Sequence, residues 1–158
     1  MGENTRMKIL PGIVVSAALL SACNGVVITK QALPDVAVYK DAACGCCSQW
    51  VEHLKSHGFT ATSTDVEDLD VVKATHNVPG RVRSCHTAVV DGYVIEGHVP
   101  AEDIERLLKE RPAIAGLAVP AMPVGSPGME VPGVRPQPYD VLALHKDGRT
   151  GIFSSYNR

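Results

Sequence analysis

Apolar residues recur in short blocks along residues 36–112, and the period of the blocks changes repeatedly. Val36-Ala37-Val38-Tyr39 is a continuous apolar run of strand length, ended by Lys40-Asp41. From Cys47 the period lengthens: Trp50, Val51 and Leu54 fall on one helical face, and Gly58 stands where a helix C-terminus favours glycine. A helix opening at the cysteines follows. Residues 59–66 alternate as a second strand. Leu69, Val71, Val72 and Ala74 predict a shorter helix that starts near Glu67-Asp68 and fades at Asn77-Val78-Pro79-Gly80. Thr87-Ala88-Val89-Val90, then Asp91-Gly92, then Tyr93-Val94-Ile95-Glu96-Gly97 is a hairpin with a two-residue turn. Within residues 101–111, Ile104, Leu107 and Leu108 make the apolar stripe of a third helix, stopped by Pro112.

Strand, helix, strand, helix, hairpin, helix is the element order of a thioredoxin-like domain, so the expected class is α/β. After Pro112 the texture changes. Residues 113–138 are rich in Gly and Pro and nearly uncharged, with little regular period. A long irregular segment is either disordered or a functional loop packed on the domain. Ile114, Leu117, Val119, Met122, Val124, Met129 and Val131 favour packing. Tyr139 to Leu144, Asp147-Gly148 and Thr150 to Phe153 predict a terminal hairpin that extends the sheet. The expectation is one thioredoxin-like domain over residues 36–158, with a Gly/Pro-rich loop and an added hairpin from about residue 113.

Arg6 and Lys8 precede an apolar run of twelve residues, Ile9 to Leu20, which leads into Leu20-Ser21-Ala22-Cys23. That run is short of the roughly 20 residues a spanning helix needs, and it reads as a secretory signal. The Leu-Ser-Ala-Cys ending resembles a bacterial lipoprotein signal. The expected organisation is therefore a signal peptide at 1–22, lipidation at Cys23 and a tether at 23–35. Removing residues 1–22 takes Lys and Arg from 15 to 13 and Asp and Glu from 17 to 16, leaving a net charge of −3. With no basic run and 4% aromatic residues, nucleic acid is not an expected partner. Asn24 lacks the aspartate that retains such proteins in the inner membrane. A periplasmic position on an outer-membrane lipid anchor is expected.

Export places the remaining cysteines in an oxidising compartment, where they form disulfides or hold a metal. Cys44 and Cys47 have the C-x-x-C spacing of thiol–disulfide enzymes, at the start of a helix whose dipole favours thiolate. Cys46 between them is foreign to such an enzyme, because a third thiol invites scrambling. Three crowded thiolates repel, and a bound cation relieves that repulsion. In the expected fold, Ser84-Cys85-His86-Thr87 precedes the third strand and faces the C-x-x-C motif. Four sulfurs and one imidazole then share one pole, a soft donor set that favours Cu(I), with zinc next.

These residues, with Gly116-Leu117-Ala118-Val119-Pro120 and Gly125-Ser126-Pro127-Gly128-Met129-Glu130, resemble the bacterial CopG-type copper-resistance proteins. The resemblance covers about residues 35–156. It implies copper on Cys44, Cys46, Cys47 and Cys85 as a multinuclear thiolate-bridged cluster, and a role in Cu(I)/Cu(II) handling alongside other periplasmic copper-handling proteins.

Other readings stay open. Two structural disulfides are one; a metal-free thiol–disulfide oxidoreductase using Cys44 and Cys47 as its redox pair is another. An arsenate-reductase-like variant is a weaker third, since Arg81 and Arg83 near Cys85 make no evident oxyanion pocket; with copper oxidoreductase activity open as part of the copper reading, whether the protein is an enzyme is undecided at this point. His86 is either a ligand or a pocket residue. Met122 and Met129 offer thioethers, although packing accounts for both. His53 and His57 share a helix face and read as solvated. His76, His98 and His145 are isolated and take no role.

Overall fold

Lys40 and His86 are register partners on two antiparallel strands, which brings the two cysteine-bearing segments to the same end of the sheet. The computed structural model describes residues 1–2 and 32–158. The expected signal segment, Cys23 and most of the tether lie outside the described residues. Among the described residues no helix is long and apolar enough to cross a membrane.

Residues 32–158 form one compact unit. In chain order it contains β1 (Val36–Lys40), α1 (Gly45–Ser56), β2 (Ala61–Asp65), α2 (Leu69–Thr75), a 3-10 turn (Gly80–Val82), β3 (His86–Val90) and β4 (Tyr93–Glu96). Then come α3 (Ala101–Glu110), β5 (Gly116–Ala118), β6 (Tyr139–Leu144) and β7 (Thr150–Tyr156). The seven strands form one sheet in the order β2-β1-β3-β4-β5-β6-β7. β1 runs parallel to β2, and β4 parallel to β5; the other neighbours are antiparallel.

The local chemistry explains each element. On α1, Cys47, Trp50, Val51 and Leu54 are buried, the spacing of one helical face. His57 ends the helix and Gly58 follows at φ +88°, a region glycine enters without steric penalty. Asp68 caps α2 by accepting from the N–H groups of Asp70 (2.8 Å) and Val71 (3.3 Å). Asp91 and Gly92 both have positive φ, as the tight turn between β3 and β4 requires. Trp50, Leu54, Ile95, Ile104 and Leu117 are fully buried in the main core.

The segment 113–138, expected to be irregular, contributes β5. Gly116 lies so close to β4 that a β-carbon there would fall 1.8 Å from the Val94 carbonyl oxygen. Only glycine allows that approach. Through β5 the terminal hairpin joins the sheet, and buried Asp103 on α3 ties it down, accepting from Tyr156 Oη (2.8 Å) and Ser154 Oγ (2.5 Å). The remainder of the loop divides in two: residues 126–128 are buried, and residues 130–138 are exposed.

Candidate metal centre

Beyond β1 the chain turns at Asp41, which accepts the Cys44 N–H on its carbonyl (3.0 Å) and the Ala43 N–H on its carboxylate (2.7 Å). The turn delivers Cys44 to the N-cap of α1. Cys46 and Cys47 follow in the first turn. Cys44 and Cys47 are joined by a disulfide, whereas Cys46 and Cys85 are free thiols. Cys46 Sγ lies 3.6 Å from Cys44 Sγ. The sulfurs of Cys44, Cys46, Cys47 and Cys85 all fall within 4.8 Å of one another. Cys47 is buried and the other three are half-buried, so the cluster opens to solvent on one side.

Cys85 reaches this cluster because it immediately precedes β3, beside the end of β1. Its Sγ also meets two imidazoles, His98 Nε2 at 3.0 Å and His86 Nδ1 at 3.3 Å. His98 is one residue beyond Gly97, whose N–H donates to the His86 carbonyl (3.1 Å) and continues the hairpin. The isolated reading of His98 is thereby corrected. Its signal was in the sequence: counting outward from the Asp91-Gly92 turn, with Thr87 opposite Glu96, sets His98 opposite Cys85.

Both imidazoles are buried, which disfavours their charged forms. Burial holds His86 well below its ordinary value, and the neighbouring His98 and the Lys73 ammonium push it the same way. Burial also lowers His98, with the Pro127 carbonyl and Glu130 opposing. His98 Nδ1 bonds to the Pro127 carbonyl at 2.8 Å. A carbonyl only accepts, so the proton sits on Nδ1 and the Nε2 lone pair is aimed at Cys85 sulfur. Burial raises the Cys85 thiol to about 12, and Cys46 adds to the rise while the Ser84 hydroxyl opposes it.

Behind Cys85 lies a buried ion pair. Glu96 accepts from Lys73 Nζ (2.7 Å), the Thr87 hydroxyl (2.7 Å) and the Ser84 N–H (2.6 Å). The last bond fixes the backbone just before Cys85. In front, the loop turn at 126–129 closes over α1: a β-carbon on Gly128 would stand 2.9 Å from the Cys46 carbonyl oxygen. The Gly125-to-Glu130 motif is therefore a cover for the cysteines as well as the support of His98.

The other sequence candidates fall elsewhere. Met129 is half-buried in the 126–129 turn. Met122 is 47% exposed and lines an open cleft with Pro120, Tyr139 and Leu142. His53 Nε2 accepts the Ala101 N–H at 3.1 Å, supporting the start of α3, and His57 Nε2 lies 3.3 Å from Glu102.

The donor set fits a soft cation. Four sulfurs converge, His86 Nδ1 stands 3.3 Å from the Cys85 sulfur, and the His98 lone pair points at the same sulfur. In the disulfide form Cys44 and Cys47 are withheld, so the full four-thiolate set exists only after reduction.

A family model described as "Protein of unknown function, DUF411" matches residues 82–129, the span from the turn before Cys85 to Met129. Two solved structures match most of the chain. "Copper resistance protein copG- Form 1" is 44% identical, covers 80% of this chain and 99% of its own, and has a TM-score of 0.75. "Copper resistance protein copG- Form 2" is 45% identical, covers 78% of this chain and 98% of its own, with the same TM-score of 0.75. No curated protein matches the chain. With that identity over nearly the whole of the solved proteins, and a cysteine cluster able to hold metal, the chain belongs to the CopG copper-resistance family.

Proposed function

We propose that the protein holds Cu(I) on the thiolates of Cys44, Cys46, Cys47 and Cys85, as a multinuclear thiolate-bridged cluster, in copper resistance. The convergence of the four sulfurs at the start of α1 carries this reading. Thiolates are soft ligands that select Cu(I), and sharing each sulfur between metals relieves the repulsion of four anions in one cup. His86 is the nitrogen donor nearest in sequence to the cup. Names of the matching structures support copper as cargo. The test is copper content of the reduced protein offered Cu(I) anaerobically, together with thiol titration. More than one copper per chain with all four thiols protected is expected; Cys85→Ser should lower the stoichiometry. No copper bound by the reduced protein would sink the reading. Zinc is the competitor, and Cu(I) should displace it.

A second reading is favoured by the disulfide itself. Cys44 and Cys47 at a helix N-terminus are a redox pair that accepts two electrons and two protons on opening. Turnover of a disulfide substrate by copper-free protein, lost in Cys44→Ser, would support it. The two readings join if reduction of this pair admits copper.

We further infer export to the periplasm with a lipid on Cys23 holding the protein to the outer membrane. The Leu-Ser-Ala-Cys sequence supports it. Mass spectrometry of the membrane-fractionated protein should find the acylated Cys23 as its N-terminus, and Cys23→Ala should release it to the soluble fraction.

A further inference from the structure

The end of α1 and the first turn of α3 bring together a donor set without sulfur. His53, His57 and Glu102 each offer one ligand atom, and these atoms lie within 4.8 Å of one another. His53 and His57 are four residues apart, so their rings share one helix face, with centroids 4.4 Å apart. Glu102 stands opposite them, in the first turn of α3.

Hydrogen bonding fixes where the protons sit. His57 Nδ1 lies 2.9 Å from the His53 carbonyl oxygen, which only accepts, so Nδ1 carries the proton. His57 Nε2 then faces the Glu102 carboxylate oxygen at 3.3 Å. An imidazole lone pair and a carboxylate oxygen at that distance repel unless a proton or a metal cation lies between them. Among the described residues, Glu102 has His57 as its only ion-pair partner. His53 Nε2 accepts the Ala101 N–H at 3.1 Å, which aims its lone pair into the same seam. Burial, and then His57, hold His53 below its ordinary value, so the ring is in the neutral form that binds metal. The carboxylates of Glu102 and Glu130 pull the other way, a field that favours a cation.

We propose that His53, His57 and Glu102 form a second metal site, separate from the cysteines, for a divalent cation of borderline softness: Cu(II) before Zn(II).

The donor set selects the ion. Imidazole and carboxylate suit divalent copper and zinc, and the thiolate that selects Cu(I) is missing. At a given site of nitrogen and oxygen ligands, Cu(II) binds more tightly than Zn(II). Three protein ligands leave the remaining positions to water, and Glu102 is exposed while both rings are half-buried, so an ion can enter. His57 already has the outer partner that orients a ligating imidazole, the carbonyl on its other nitrogen. His53 must exchange the Ala101 N–H for the cation. That N–H belongs to the first turn of α3, so the exchange costs the helix a terminal bond and none of its interior ones. The site does not depend on the copper reading of the cysteine cup and goes beyond it.

Electron paramagnetic resonance tests the proposal, because Cu(I) is silent and Cu(II) is not. Protein treated anaerobically with Cu(I) until uptake ends is then given one equivalent of Cu(II). An axial signal with nitrogen hyperfine structure is expected, and a large excess of Zn(II) should displace it. Losing even an outer partner costs a metal site about 10–100-fold in affinity, so His57→Gln should weaken Cu(II) binding by about tenfold or more. Glu102→Gln should weaken it too while keeping the nitrogen structure. Both side chains are accessible, at 31% and 65% exposure, so neither substitution endangers the fold. With Zn(II) in place of Cu(II), the Ala101 amide resonance should shift, since its acceptor is taken. Wild-type affinity in His57→Gln, or an Ala101 resonance that ignores Zn(II), overturns the site. Failure to take up Cu(I) counts against the cysteine cup alone, because the comparison of wild type with His57→Gln holds with or without it.

Discussion

Gly128 is pressed against Cys46: a β-carbon there would stand 2.9 Å from the Cys46 carbonyl oxygen and 2.8 Å from the Trp50 nitrogen, at a backbone φ of +81°. Both contacts are with backbone, so neither can swing aside. Gly128→Ala must lift the loop, strain its own backbone, or push α1 at the cysteines. A loss of about 1–3 kcal/mol in unfolding free energy is expected, the usual range for overpacking. Copper retention should fall as well, because the neighbouring Pro127 carbonyl orients His98. Denaturant unfolding and copper content of the variant check this; wild-type values in both would show that the cover does not press on the helix.

The Lys73–Glu96 pair gives a sharper contrast. Both side chains are nearly inaccessible, at 5% and 0% exposure, and Glu96 also anchors the Ser84 N–H. Glu96→Gln leaves a buried ammonium without its counter-charge, and breaking such a pair costs about 3–5 kcal/mol. Removing both charges, in Lys73→Met with Glu96→Gln, should recover most of that stability. It should not recover Cys85 geometry in full, because the charge-assisted bond to Ser84 is gone. A double-mutant cycle in urea, with copper affinity measured alongside, separates the two effects.

Oxidation state of the C-x-x-C pair should set capacity. With Cys44 bonded to Cys47, the thiols left among the described residues are Cys46 and Cys85. Protein kept oxidised should take up less Cu(I) than protein treated with a dithiol reductant, and reduced Cys44→Ser, which keeps three of the four thiols, should fall between the two. Copper per chain after gel filtration reports it. Equal uptake by oxidised and reduced wild type would mean that Cys44 and Cys47 are not ligands.

How far the sequence reaches is seen best at individual residues. Trp50, Val51 and Leu54 announced α1, and Asp91-Gly92 announced the β3–β4 hairpin, because local period and turn chemistry specify those elements directly. Bringing Cys85 to Cys44 and Cys47 needed only the element order, and the pairing of Lys40 with His86 realises it. β5 left no trace, since three residues are too few for a period, and Gly116 is chosen for backbone approach. His98 was passed over for a different reason. Its role depends on strand register carried past the visible end of the hairpin, and on a loop carbonyl 29 residues away in sequence that no local pattern reveals. The glycine and proline of the loop signalled irregularity; what they serve, contact with the Cys46 backbone and support of His98, is tertiary.

Stability of the metal-free protein should fall on both sides of a neutral plateau. His53, His86 and His98 are all held below their ordinary value of 6.5, by burial first in each case. Below that pH the unfolded chain binds protons that the folded imidazoles refuse, so stability is lost as the pH falls. Each proton of difference contributes a slope of about 1.4 kcal/mol per pH unit. On the alkaline side the sign reverses. Cys85 is raised from 9.0 to about 12, chiefly by burial, and burial raises Tyr139 and Tyr156 from 10.0 in the same direction. Above pH 9 the unfolded thiol ionises while the folded one keeps its proton, so stability falls as the pH rises toward 12. Urea unfolding of reduced, metal-free protein from pH 5 to 10.5 should therefore give a dome, flat between about 6.5 and 9. Cys85→Ser should delay the alkaline fall until the tyrosines ionise, and His98→Gln should flatten the acid limb. A stability that keeps rising below pH 6 would show that these histidines are not held neutral by the fold.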